Sequence, residues 1–329
     1  MDGTFFMVKW RLHDGAVEEW DELLSLFENR SYSQLFQWGE YKKEFNWHVL
    51  RLIANNSQDD CIGLAQCLFK VYPFGISIMW IPGGPVGDLS IIGNNFFKIL
   101  HEFSGAKYLY CRISPMDSQD EIKKITGWKK VKQSVNSRKS MILRLDNYDL
   151  DAGNKLSKNW KRNLKRSNNY NLSSKNITNP DYKIIESIYR DMEKYKDIGM
   201  QYSTKELASI LKKLSKYLVL YICKNSNGIP IAVRGCLIHK NKAWDFIAAT
   251  NKEARKKYAS YKLFWDILVS CSEMKIYSYD MGGIDKKNNK GVWNFKKGTG
   301  AKEITYVSEY ENSNMPLLIP LINMYIRYI

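Results

Sequence analysis

The chain has 329 residues, enough for two domains, since a single core stops growing at roughly 250 to 300 residues; 44% hydrophobic and 13% aromatic residues exclude a disordered chain. Its net charge of +16 is uneven: residues 1–149 hold 18 basic and 18 acidic side chains, residues 150–329 hold 32 and 16. The second half therefore meets a polyanion, either nucleic acid or an anionic membrane surface, or else carries a solvated basic face without a dedicated partner.

Six cysteines without a Cys-x-x-Cys pair read as reduced core residues, and His13, His48, His101 and His239 form neither a triad nor a metal pattern. With no apolar run of the ~18 residues a membrane span requires, a cytoplasmic location and no metal are expected.

Along the chain, two regions share an order of elements without sharing sequence. In the first, WHVLRLI (47–53) leads through a polar turn into CIGLAQCLFKVY (61–72), then ISIMWIP (76–82), a helical IIGNNFFKILHEF (91–103) and YLYCRI (108–113). In the second, YLVLYIC (217–223) leads through Asn227-Gly228, which suits a primed hairpin turn, into IPIAVRGCLIH (229–239). AWDFIAAT (243–250), a helical YASYKLFWDILVS (258–270) and KIYSYDM (275–281) follow. Both read strand, hairpin, strand, strand, helix, strand. This resembles the acyltransferase fold of the GNAT class, an α/β (α+β) architecture of mixed, mostly antiparallel sheets in which a splay of central strands admits an acyl donor; one lobe can be degenerate and the other active.

Between these regions lies DAGNKLSKNWKRNLKRSNNYNLS (151–173). Wound at 100° per residue, Lys155, Lys158, Lys161, Arg162, Lys165 and Arg166 fall within an arc of roughly 140°, opposite a stripe of Leu156, Trp160 and Leu164. Asn154 suits the N-cap. No acidic residue occurs between 152 and 180, so like charges repel with no i,i+4 compensation, which favours a function for them. Helices follow in 181–200 and 204–216. The apolar C-terminal MPLLIPLINMYIRYI (315–329) is too short to span a membrane and reads as a packing helix.

Single residues raise narrower questions. Arg234 shares an apolar strand face with Ala232 and Cys236, so its charge needs a partner, either a substrate phosphate or a buried carboxylate. Asp88, after Pro85, is either a turn aspartate or a group that orients an amine. GVWNFKKGTG (291–300) mixes glycines and lysines as phosphate loops do, but the lysines precede the glycine that a Walker motif places before them.

Four stretches in order resemble the Fem family (FemABX), transferases that use aminoacyl-tRNA to build peptidoglycan bridges. They are SQLFQWGEYKKEFNW, with Gln34, Trp38, Lys42 and Trp47; IPGGPVGD (81–88); KRNLKRS (161–167); and YSYDMGGIDKKNNKGVWNFKKGTGA (277–301), similar to Tyr-Asp-x-Gly-Gly followed by Gly-x-x-x-Phe-Lys. The resemblance implies two GNAT-like lobes, 1–149 with 314–329 on the acceptor side and 150–313 on the basic donor side, in a compact member without a helical arm. The acceptor of such members is a soluble UDP-muramyl peptide. Here Trp244 and Phe246 replace a tyrosine-bearing strand, which leaves the acceptor open between that peptide, a lipid-linked precursor and another envelope molecule.

The resemblance further implies that Lys296 stabilises the oxyanion formed when an acceptor amine attacks the aminoacyl ester, with Phe295 shaping the pocket and the following glycines admitting the terminal adenosine. Lys297 points to the other side if this stretch is a strand. Trp38, Lys42, Asp88 and Arg234 are the candidate acceptor-binding residues; Lys158, Lys161, Arg162, Lys165, Arg166 and Lys297 are the candidates for tRNA. Aminoacyl-tRNA is then a co-substrate, with no further cofactor, and a monomer with possible peripheral membrane contact is expected. The same fold also supports an acyl-CoA-dependent N-acyltransferase acting on a sugar or polysaccharide precursor. Against this, EARKKYASYK (253–262) lacks the glycine of a pyrophosphate turn and carries Tyr258 there. A noncatalytic polyanion- or membrane-binding module is the third reading.

Overall fold

The computed structural model describes residues 8–118, 125–146, 148 and 155–326. The chain forms two compact units, one of residues up to Arg138 and from Thr305 onward, the other Lys139–Ile304. The chain thus leaves and re-enters the first unit about ten residues before the 149/150 and 313/314 boundaries.

The first unit begins with β1 (Lys9–Leu12), α1 (Val17–Ser25), α2 (Phe36–Lys43), β2 (His48–Asn55), β3 (Cys61–Tyr72), β4 (Ile76–Pro82), β5 (Val86–Gly87), α3 (Asn94–Ser104), β6 (Tyr108–Ser114) and β7 (Lys129–Lys130). The second unit holds β8 (Lys139–Arg144), α4 (Lys158–Asn168), β9 (Ser173–Asn176), α5 (Tyr182–Lys196), α6 (Thr204–Lys213), β10 (Leu218–Lys224), β11 (Pro230–His239) and β12 (Lys242–Thr250). It continues with α7 (Lys252–Lys256), α8 (Ala259–Glu273), β13 (Ser278–Gly283), α9 (Lys290–Lys297) and β14 (Lys302–Thr305), after which β15 (Tyr310–Ser313) and α10 (Leu318–Ile326) return to the first unit.

The sheets run β1-β2-β3-β4-β6-β15-β7, with β5 on β3, and β14-β8-β13-β12-β11-β10-β9. Each contains two antiparallel hairpins, a crossover helix and one parallel pair, β4 with β6 and β12 with β13. Alternation explains the hairpins: Leu52, Ala65, Cys67, Met79 and Ile81 face Phe96, Phe97 and Leu100 of α3, each large side chain contributing about 1.5–3 kcal/mol on burial. The same logic buries Cys236, Ala243 and Tyr279 under Phe264, Ile267 and Leu268 of α8.

Two local expectations change, and one strand pairing was not anticipated. Only Gly228 of Asn227-Gly228 has positive φ, +78°; the hydrogen bonds Gly228 N–H to Asn225 O and Asn225 N–H to Ile229 O close a type I turn with a glycine bulge, not a primed turn. Residues 139–144 join the second sheet between β13 and β14, a pairing that no local signal announces. Asn154 lies outside the described residues; the cationic helix begins at Lys158, with the Ser157 hydroxyl accepting from Trp160 N–H.

Candidate active site

The parallel pairs of the two sheets differ. In the first unit β4 and β6 stay paired from Ile76–Tyr108 to Pro82–Ser114. In the second, β12 and β13 pair only over Lys242–Trp244 and Ser278–Asp280 and then separate, although both strands continue. A bulge at Phe246, where Gly235 opposes Ile247 but Cys236 opposes Asp245, bends β12 at the point of separation.

Lys296 occupies this opening. The stretch that carries it is helical, not extended: the Asn289 side chain caps α9 by accepting from Val292 N–H, and Lys296 and Lys297 form its last turn. The strand expectation for Phe295–Lys297 is therefore corrected. The helix still separates the two lysines by about 100°, leaving Lys297 exposed and Lys296 buried at 7% exposure.

The Lys296 ammonium donates to the carbonyls of Gly282 (3.0 Å) and Gly283 (2.8 Å) at the end of β13. An ammonium has three donors, so one remains beyond these two bonds. Asp280 holds this turn, its carboxylate accepting from Gly282 N–H (2.8 Å) and the Ser140 hydroxyl (2.5 Å). Burial pushes Lys296 below the ordinary lysine range; Asp245 opposes that shift, Arg234 adds to it and Asp280 opposes it.

Beside the lysine, Arg234 forms a bidentate pair with Asp245, Nε to Oδ1 at 3.0 Å and Nη2 to Oδ2 at 2.6 Å. Tyr279 donates its hydroxyl to the same Oδ1 at 3.1 Å, and burial holds its phenol protonated well above the ordinary tyrosine value. Arg234 therefore meets the buried carboxylate that its apolar strand face required, and its guanidinium is engaged there rather than offered to an acceptor. Two cations and two carboxylates balance, which makes so much buried charge tolerable.

Phe295, one residue before Lys296 on α9, has its ring 5.1 Å from Arg234 and within 5.1–5.8 Å of Tyr261, Phe264 and Trp160. It packs against the Arg234 guanidinium and the aromatic core cluster. The glycines after Lys297 have a different partner from the adenosine expected there. A Cβ on Gly298 falls 3.0 Å from Ser157 Oγ and Trp160 Cδ1, one on Gly300 (φ +87°) falls 2.8 Å from Lys155, and Ser157 N–H donates to Gly298 O at 2.8 Å. The chain itself, entering α4, fills the close approach that these glycines allow.

That contact fixes α4 against α9. Trp160 is buried among Tyr261, Phe264, Trp265 and Phe295, while Lys158, Lys161, Arg162, Lys165 and Arg166 are exposed. Among the described residues no carboxylate pairs with these five; Arg162 bonds Asn159, and Arg166 bonds the Tyr258 hydroxyl. Tyr258, at φ +58°, caps the start of α8.

In the first unit Trp38 and Lys42 lie together on α2, the ammonium 5.0 Å from the Trp38 ring and 4.7 Å from the Tyr41 ring. Asp88 is exposed and caps a short turn by accepting from Ser90 N–H at 2.8 Å. It also borders a shallow depression with Glu28, Asn29 and Asp117. Asp245 was missed in the sequence, yet counting outward from the His239–Lys242 end of the hairpin sets it opposite Cys236 and diagonal to Arg234.

Residues 168–325 match the FemAB family model. No curated protein matches the chain. Among solved structures, FemX superposes with a TM-score of 0.78 at 16% identity, covering 95% of this chain and 100% of that one. L-PGS from Bacillus licheniformis gives 0.58 at 14%, covering 94% and 97%, and a tandem GNAT protein from the clavulanic acid biosynthesis pathway 0.51 at 10%, covering 94% and 99%. Residues 168–325 are thus similar to the FemAB family, and nearly the whole chain shares the fold of FemX.

Proposed function

We propose that this Fem-type transferase moves an amino acid from aminoacyl-tRNA to an amine of a cell-envelope precursor, a UDP-muramyl peptide or a related acceptor, in the cytoplasm. The observation that carries the reading is the Lys296 ammonium, buried where β12 and β13 separate and retaining one donor beyond its two carbonyl bonds. In the reaction the acceptor nitrogen attacks the ester carbonyl carbon, and the carbonyl oxygen takes the negative charge. The carbon–ribose oxygen bond then breaks, and the proton lost by the amine ends on the ribose hydroxyl. A fixed cation beside the developing oxyanion contributes most in a site from which water is excluded. The ester is already activated, and an α-amine with an ordinary pKa near 8 needs no strong base.

Asp245 favours the charged form of Lys296 and Arg234 disfavours it, while Tyr279 holds Asp245 in place. The exposed row on α4 and Lys297 suit tRNA phosphates, and Trp38 with Lys42 suit the acceptor. Coenzyme A is the poorer donor, since Tyr258 occupies the start of α8 where a pyrophosphate turn requires glycine. The test is to incubate the protein with a mixture of radiolabelled aminoacyl-tRNAs and envelope precursors. Label should pass to a precursor and RNase should abolish it; transfer that survives RNase, or that occurs only with acyl-CoA, contradicts the proposal.

A further inference from the structure

α10 is apolar on both sides. Leu318 and Ile322 pack against Tyr110, with Ile76, Ile78 and Tyr108 partly buried beside them. The opposite stripe, Leu317, Leu321, Met324 and Tyr325, spaced i, i+4, i+7 and i+8, is 55–67% exposed. A helix that needed only to pack would be polar there. Next to it the β3–β4 turn holds Phe74 at 88% exposure, with Tyr72 also exposed. Lys70 pairs with Ile78 and Tyr72 with Ile76, so both lie on the sheet face that α10 covers.

The rim of this apolar surface is cationic. A Cβ on Gly75 would lie 2.9 Å from Lys107 Cβ, so Lys107 adjoins Phe74. The Lys107 ammonium lies 5.3 Å from the Tyr108 ring and that of Lys70 4.9 Å from the Trp47 ring. Among the described residues neither lysine has a carboxylate partner. Apolar side chains in the centre with tyrosine, tryptophan and lysine around them match the depth profile of a bilayer interface. Unpaired lysines complement anionic headgroups at about 1 kcal/mol each near such a surface.

We propose that this face of the first unit docks on a bilayer rich in anionic phospholipid, Phe74 and the outer stripe of α10 entering the acyl boundary while Lys70 and Lys107 meet the headgroups. No helix among the described residues is long and apolar enough to cross a membrane, so the attachment is peripheral. It is independent of the transfer reaction proposed above, and its test needs neither tRNA nor acceptor.

The test is flotation of the full chain with vesicles of phosphatidylglycerol or of phosphatidylcholine. Binding to phosphatidylglycerol should exceed that to phosphatidylcholine by at least about tenfold. Phe74→Ser with Leu321→Ser and Met324→Ser should lose at least about tenfold with circular dichroism unchanged, because each removes inserted apolar area. Lys70→Glu with Lys107→Glu should weaken binding chiefly at low salt. Failure of the unaltered chain to float overturns the proposal. So does flotation of the triple serine variant at the unaltered level, which would assign binding to the basic second unit. A dimer of the unaltered chain that the serine variant dissolves would make this face a contact between copies instead, and would also overturn it.

Discussion

Lys296 carries charge into the opening between β12 and β13, and two glycine carbonyls with two nearby carboxylates keep it there. A lysine whose folded pKa lies below its unfolded one costs stability while both states are charged. That cost disappears as pH rises from the folded value toward the ordinary ~10.4, because the unfolded chain binds more protons in this window. Stability contributed by Lys296 therefore rises across that alkaline window, whereas the proposed transfer, in which the ammonium holds the oxyanion, should fall. The transfer rate should show an alkaline limb below the ordinary lysine pKa, and Lys296→Arg should remove that limb even if it is slow; a limb retained by the arginine variant assigns the titration elsewhere. Asp245→Asn strips Arg234 of its counter-charge and should lower stability by about 3–5 kcal/mol in urea unfolding. It should also move the alkaline limb to lower pH, since Asp245 favours the charged lysine; an unshifted limb would mean that Asp245 does not reach it. The need of Arg234 for a partner was legible in its apolar strand, but the partner depended on hairpin register. The order of motifs singled out Lys296, while its helical setting was hidden by glycines that read as a loop.

At the scale of elements, the strand order of both sheets could be read from alternation and turns, because each hairpin buries residues at every second position of the stretches quoted above. What joins distant segments could not. β8 inserts beside β13, and Gly298 and Gly300 are small because Lys155–Trp160 crosses them, contacts spanning most of the second unit without a local signature. That crossing seats α4 through Trp160, which sets where the helix presents its cations. Phosphate contacts release counterions, and each contributes roughly −0.7 to −0.9 to the slope of log affinity against log salt. Reversing Lys161, Arg162 and Lys165 to Glu should weaken aminoacyl-tRNA binding by about tenfold or more and flatten the slope by about 2 to 3, with circular dichroism unchanged. Unaltered binding in filter assays across salt concentrations would remove α4 from the RNA surface.

Across the whole molecule, two units of the same strand order have been put to different uses. The first keeps β4 and β6 zipped along their length and is close to neutral; the second opens β12 from β13, buries a lysine in the gap and carries the excess positive charge. The two units share a frame, and only the second breaks its parallel pairing to make room for a buried lysine. The most direct measurement is the single-turnover rate at which labelled aminoacyl-tRNA passes its amino acid to a precursor, compared between the unaltered protein and Lys296→Met. The account predicts a rate lower by about 100- to 1,000-fold with tRNA affinity unchanged; an undiminished rate in a folded variant would contradict it.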